Sequence, residues 1–284
     1  MKPLRVFASF VLLCFGASAQ APKVQSPSAK PPKSVRLYVF DCGRLDIPDT
    51  SAYRLKKEEL ASSVMSAPCF LVAHPKGTLI WDTGPVADST FKDGVGTLRY
   101  ATTTKTLTSQ LSQVGYAPSD ITYLALSHFH WDHVGNANLF AGSTWLTTKA
   151  ERDYMFTDPP STRTEPQNFS ALKASKTVFI TTADYDVFGD KTVIIKAAPG
   201  HSPGHQVLFL KLAKTGPVVL SGDLYHYPEE RQRKLVPTTE FNADETIASR
   251  VTIEAFLNQT HAQFWIQHDM IGYSKLKKSP AYYE

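Results

Sequence analysis

The stretch Ser127-His128-Phe129-His130-Trp131-Asp132-His133 places three imidazoles and a carboxylate within six residues. Neutral imidazole and carboxylate are the ligands that a borderline divalent cation such as zinc prefers. The run before it, Ile121-Thr122-Tyr123-Leu124-Ala125-Leu126, reads as a buried strand. The cluster therefore sits where a strand ends and a loop begins, the usual place for chemistry in α/β proteins. One histidine there would read as a core or surface residue. Packing gives no reason for this density of donor atoms, so H-x-H-x-D-H reads as a metal site.

Working outward, the 284-residue chain is long enough for one large domain or two small ones. Its 42% hydrophobic and 20% charged content is that of a globular protein with a sizeable core. Residues 1–19 read as a secretory signal peptide. Lys2 and Arg5 are its positive start, Val6 to Phe15 its apolar run, and Ala17-Ser18-Ala19 its cleavage site. The run is too short for a stable membrane span. Cys14 follows Leu13 rather than a small residue, which argues against lipid attachment. The expectation is export to the periplasm or medium. Loss of the leader leaves 28 Lys and Arg against 26 Asp and Glu, a balance that gives no footprint for nucleic acid. Residues 20–34, rich in Pro, Lys, Ser and Ala, read as a disordered linker, with the folded domain over 35–284. Cys42 and Cys69 are either a disulfide of an oxidising compartment or two small buried hydrophobes, and spacing alone does not decide.

Strands are expected at 35–40, 69–73, 78–81, 177–180, 191–197, 206–212, 217–220 and 264–266. Leu107, Leu111 and Val114 mark a short helix, and Asn242-Ala243-Asp244-Glu245 caps a longer one. Residues 158–168, polar with three prolines, read as a surface loop. The mixture predicts an α/β or α+β class with two layers of sheet. Three further polar groups each follow an apolar strand: His201 in Pro199-Gly200-His201, Asp223 in Ser221-Gly222-Asp223, and His268 after Phe264-Trp265-Ile266-Gln267. Five histidines and two aspartates exceed one tetrahedral zinc and suit two cations sharing a carboxylate.

Taken together in this order, the H-x-H-x-D-H run, the Pro-Gly-His, the Ser-Gly-Asp and the last histidine resemble the metallo-β-lactamase superfamily, from about Val35 to the end. The resemblance implies an αββα sandwich with the site at one edge of the sheets. It implies one metal on His128, His130 and His201, another on Asp132, His133 and His268, and Asp223 bridging. His205 and Asp82 would support these ligands, while His74 and His261 read as surface or loop residues. The phrases His74-Pro75-Lys76-Gly77-Thr78-Leu79-Ile80-Trp81-Asp82-Thr83-Gly84, His201-Ser202-Pro203-Gly204-His205-Gln206 and Gly222-Asp223-Leu224-Tyr225 resemble the N-acyl-homoserine lactonases.

That resemblance implies opening of a homoserine lactone ring by metal-bound hydroxide, with Asp132 shuttling a proton. The lactonases carry a tyrosine three residues after the bridging aspartate. Here that position is His226, so Tyr225 or His226 is expected to contact the lactone. Val64, Met65, Phe91, Tyr100, Tyr154, Met155 and Phe156 are candidates for an acyl groove. Glyoxalase-type thioesterase, phosphodiesterase and arylsulfatase remain the competing readings, as does a binding protein that has lost catalysis. The ligand set puts zinc first and admits iron, manganese or cobalt. The expected partner is a small ester substrate, with the oligomeric state open, a homodimer included.

Overall fold

The structure, a computed structural model, describes Met1 and residues 30–284; the expected leader and the linker up to residue 29 lie outside the described residues. Sixteen strands are present among the described residues. In chain order they are β1 (Arg36–Phe40), β2 (Arg44–Asp46), β3 (Val64–Ser66), β4 (Cys69–His74), β5 (Gly77–Trp81), β6 (Gly96–Leu98), β7 (Ala101–Thr103) and β8 (Tyr123–Ala125), followed by β9 (Thr144–Thr147), β10 (Thr177–Phe179), β11 (Asp184–Asp186), β12 (Val193–Ala197), β13 (Gln206–Leu212), β14 (Gly216–Leu220), β15 (Gln263–Trp265) and β16 (Tyr282–Tyr283). The α-helices are α1 (Leu107–Gln113), α2 (Lys149–Met155), α3 (Pro228–Arg233), α4 (Ala243–Thr260) and α5 (Met270–Lys275).

Period-two alternation sorts the side chains into layers. Leu37 and Val39 of β1 point inward with Val72, Leu79 and Trp81, where they meet Val193, Ile195, Leu208, Leu210, Val218 and Leu220 of the other sheet. Tyr38 and Phe40 point outward, with Leu71, Ile80 and Leu124, against Leu107 and Leu111 of α1. On the far side Val207, Phe209 and Val219 face Ile253 and Leu257 of α4. Helix, sheet, sheet, helix is therefore the layer order, an α/β sandwich of the αββα kind. Sheet one runs β10-β9-β8-β5-β4-β1-β16 and sheet two β11-β12-β13-β14-β15.

Parallel pairing brings strand ends together. β5 and β8 run parallel in sheet one, as do β14 and β15 in sheet two. Their C-terminal ends deliver Asp82, the 127–133 loop, Asp223 and His268 to one rim. A small sheet, β3-β2-β7-β6, covers that rim with Leu45, Ile47, Met65, Trp131 and Tyr227 packed beneath it. β2, β3, β6 and β7 fall in stretches too short and too polar to show alternation. Helix α4 begins as expected: the Asn242 side chain accepts from the N–H groups of Asp244 and Glu245.

His74 is a correction to the sequence reading. It is buried at the end of β4 rather than on the surface, its ring stacked on Phe188 at 4.0 Å. Its Nδ1 accepts from Lys76 N and its Nε2 lies 3.0 Å from Asp190, latching the β4–β5 turn to the β11–β12 turn. His261 is exposed at the end of α4. The packed body also starts slightly before Val35, since Pro32 is buried and Ser34 bonds Glu284.

Cys42 and Cys69 form a disulfide, Cα–Cα 5.7 Å apart. It backs the turn after β5: at Gly84, whose φ is +75°, a Cβ would stand 2.7 Å from Cys42 Cβ and 3.3 Å from Cys69 Sγ. The bond spans 27 residues. Constraint of the unfolded chain over that span is worth about 3 kcal/mol. The Cys42→Ala/Cys69→Ala variant is expected to lose about that much unfolding free energy in urea, with far-UV circular dichroism unchanged.

Candidate metal centre

All seven sequence-predicted donor residues meet in one place. The ligand atoms of His128, His130, His201 and Asp223 lie within 4.8 Å of one another, as do those of Asp132, His133 and His268. Asp223 faces both groups. Its Oδ1 lies 3.1 Å from His133 Nε2 and 3.1 Å from His268 Nε2, and its Oδ2 lies 3.3 Å from His201 Nε2 and 3.6 Å from His128 Nε2.

Each imidazole is held from behind. His133 Nδ1 donates to Asp82 Oδ2 at 2.9 Å, His201 Nδ1 to Glu240 at 3.0 Å, and His268 Nδ1 to the Ser66 carbonyl at 2.8 Å. His128 Nδ1 lies 3.1 Å from Ser127 Oγ. Spending the Nδ1 proton there leaves the Nε2 lone pair facing the cluster. His130 is reversed: its Nδ1 faces His128 Nε2 at 2.6 Å and His201 Nε2 at 2.9 Å. His130 Nε2, His133 Nε2 and Asp223 Oδ1 are buried without a hydrogen-bond partner. Lone pairs converging on lone pairs, with polar atoms unpaired, fit a cation and fit little else.

The titration behaviour agrees for His128 and His130, whereas at His133 burial is outweighed by the charges of Asp223, Asp132 and Asp82, which raise it well above the usual range. Burial, with neighbouring imidazoles and, for His130, the Arg163 charge, pushes His128 and His130 well below the usual range, so they stay neutral donors. Burial opposes ionisation of Asp223, but His268, His133 and His128 hold its carboxyl well below the ordinary value. Burial likewise opposes ionisation of Glu240, and His201 overrides it, bringing Glu240 down to about 2.

The supports of Asp223 and of the loops are as specific. His205 does not join the clusters. Burial, then His201, lowers it to about 4; its Nδ1 donates to the Ala198 carbonyl, and its Nε2 accepts from Asp223 N at 2.9 Å. Gly222 has φ +50°, and a Cβ there would lie 2.6 Å from His205 Nε2, so only glycine lets Asp223 turn in. Asp82 is fully buried and accepts from Ser127 N, Ser127 Oγ and Gln267 Nε2 as well as His133.

Glu151, on α2, ties two loops together by accepting from Phe129 N, Ser202 Oγ and Gly204 N, each at 2.7 Å. Burial pushes its carboxyl up to about 7. Neither Glu151, Glu240 nor Gln267 was foreseen. Thr148-Lys149-Ala150-Glu151 carries a helix-start pattern, but that pattern assigns the carboxylate to the helix's own N–H groups rather than to loops far along the chain.

Of the two candidates beside Asp223, the structure separates one from the other. His226 joins the site: its Nε2 lies 3.3 Å from Asp223 Oδ2 and its Nδ1 3.2 Å from Glu230. Burial opposes its charge, yet Glu230 and Asp223 raise it to about 10. Tyr225 is a correction. Its ring lies under the Arg250 guanidinium at 4.2 Å and among Val207 and Phe209, on the α4 side of sheet two. The turn after β14 sends the Tyr225 ring to the α4 side of sheet two and the His226 ring to the site.

The cavity over the cluster measures about 140 Å³. Met65 and Tyr100 line it with Leu45, Ile47, Tyr53, Trp131 and Asp132. Val64 is half-buried in β3, and Phe91 packs under the small sheet. Tyr154, Met155 and Phe156 pack at the α1-side core instead, Met155 buried and the other two partly so. Arg231 and Arg233, which follow the Asp223 loop, pair with Glu254 and Glu59, and the cations at the cavity are Arg99 and Arg163 instead. Arg163 comes from the expected surface loop at 158–168, bound to the site by Trp131 N donating to the Arg163 carbonyl.

A four-layer sandwich with this donor set on one rim defines a metallo-hydrolase fold, and the chain belongs to the metallo-β-lactamase superfamily, whose sequence profile matches residues 63–261. Among known proteins, an N-acyl homoserine lactonase AttM of Azorhizobium caulinodans is 26% identical over 271 residues, covering 88% of this chain and 99% of its own. An N-acyl homoserine lactonase of a Bacillus species is 26% identical over 222 residues, 75% of this chain and 85% of its own. An N-acyl homoserine lactone hydrolase solved with N-hexanoyl-L-homoserine at its catalytic metal centre shares the fold, with TM-score 0.74 and 23% identity over 88% of this chain and 99% of that one.

Removing only the charge behind His133 tests the supporting layer. Asp82 sits at φ 56°, a conformation asparagine tolerates. Asp82→Asn is expected to weaken metal binding at the Asp132–His133–His268 cluster by about 10–100-fold, read by chelator competition. The other cluster should keep its affinity.

Proposed function

We propose that this chain is a dinuclear metal-dependent hydrolase that opens the lactone ring of N-acyl-homoserine lactones. The observation that carries it is Asp223, whose two oxygens each face a separate group of buried donors. His128, His130 and His201 would hold one cation, Asp132, His133 and His268 the other, and Asp223 both. Bound there, the cations supply Lewis-acid polarisation of a carbonyl and acidification of water. Zinc is the first choice for this donor set.

The chain's own groups do the rest. Asp132 is the cluster carboxylate nearest solvent, its side chain 11% exposed at the cavity floor. It is placed to hold a proton taken from water and pass it to the leaving oxygen. His226, fixed by Glu230, turns its Nε2 toward the cavity, where the lactonases carry a tyrosine. There it orients the lactone carbonyl and hydrogen-bonds charge developing on its oxygen. Leu45, Ile47, Met65 and Trp131 wall off water above the reacting atoms. No serine or cysteine lines the cavity among the described residues.

AttM and the Bacillus enzyme are named as lactonases of this class, and their similarity over most of the chain supports the substrate assignment. A ring-opening assay on hexanoyl-homoserine lactone, with thioesters and phosphodiesters alongside and metal measured on the same sample, tests the reading. Turnover of the lactone with about two cations per chain is expected; preference for a thioester or phosphodiester would sink it. Asp223→Ala should lose metal and turnover together. His226→Phe should lower kcat by about 10–100-fold with metal content intact, whereas Tyr225→Phe should change kcat by less than about twofold.

A further inference from the structure

Two guanidiniums stand in the wall of the cavity over the metal centre, Arg99 and Arg163, and their charges are in different states. Arg99 is neutralised. Its Nε donates to Glu165 at 2.9 Å, its Nη2 to Glu165 at 2.8 Å and to the Thr162 carbonyl at 3.0 Å, and its plane lies over the Trp131 ring. Arg163 is not. Its Nη1 donates to the neutral Thr239 carbonyl at 2.6 Å, and among the described residues no carboxylate forms an ion pair with it. Its remaining N–H groups are unspent.

The position of Arg163 is built rather than incidental. Its carbonyl accepts from Trp131 N at 3.0 Å, between His130 and Asp132. Thr239, which holds the guanidinium, immediately precedes Glu240, which holds His201. The ligand loop therefore holds the Arg163 backbone, and the loop that carries Glu240 holds its side chain. Arg163 is half-buried, its free donors border the cavity, and the cations proposed to sit there would add to its attraction for an anion. A guanidinium fork matches a carboxylate in shape and charge better than it matches any alkyl chain.

We infer that Arg163 is a specificity-determining residue that binds a carboxylate on the arm of the substrate, so that the site favours lactones bearing an anionic arm over those with a plain alkyl arm. This rests on the lactonase reading for the reacting group and adds what the rest of the substrate carries.

The test compares the metal-loaded wild type with Arg163→Met and Arg163→Lys. The substrates are hexanoyl-homoserine lactone and its adipoyl counterpart, whose arm ends in a carboxylate. The wild type is expected to show a kcat/KM ratio of at least about ten in favour of the adipoyl lactone. Arg163→Met should bring the ratio to about one, and Arg163→Lys, which keeps the charge but not the fork, should retain part of it. Calorimetric titration of the same proteins with adipate and with hexanamide reads the subsite without turnover, and the same order is expected. Thermal melts check that each variant folds. A wild-type ratio near one in both measurements, or a ratio that survives Arg163→Met, overturns the inference. Calorimetric preference for adipate without turnover of either lactone overturns the lactonase reading and leaves the Arg163 subsite standing.

Discussion

The Asp223 carboxylate stands between two groups of imidazoles, one at each oxygen, and most of the polar architecture of the interior keeps it there. Its N–H is held by His205, its approach is opened by Gly222, and the imidazoles it faces are pinned by Asp82, Glu240, the Ser66 carbonyl and Ser127. A buried carboxylate and facing lone pairs repel one another and water is largely shut out, so the arrangement is stable only with positive charge at its centre. The supporting hydrogen bonds choose which nitrogen of each ring carries the proton, and so choose which atom is left to bind.

The sandwich makes that convergence affordable by geometry. Parallel pairs β5–β8 and β14–β15 end on the same rim, so residues far apart in the chain leave their strands side by side. The apolar layers on both faces of each sheet fix the register, since a one-residue slip would turn every inward side chain outward. The Cys42–Cys69 disulfide and Glu151 then lock the turns just outside the sheets, where no ladder of hydrogen bonds would hold them.

Access to the centre is governed by parts that are not in the sandwich core. The small sheet β3-β2-β7-β6 supplies an apolar roof, and the 158–168 loop brings a guanidinium to its edge. Loops tolerate change better than packed strands. The roof and the loop are therefore the parts free to vary, while the residues behind the ligands are committed to one geometry.

Much of the centre was legible along the chain because its donors come from short local motifs at strand ends. The H-x-H-x-D-H run, Pro-Gly-His and Ser-Gly-Asp each declare themselves without reference to the fold, as does the alternation that separates Leu37 and Val39 from Tyr38 and Phe40. The groups that orient those donors were not legible. Glu151, Glu240 and Gln267 are single polar residues whose partners lie up to 199 positions away. Burial of His74, the turning of Tyr225 away from the site and the arrival of Arg163 at the cavity are equally non-local. The sequence by itself determined the ligand types, the layer class and the caps of α4, because these depend on neighbours along the chain and on period. Only the tertiary structure decided which imidazole nitrogen faces inward and which cation lacks a counter-charge, because hydrogen bonding and desolvation are set by atoms that meet only once the sheets have packed.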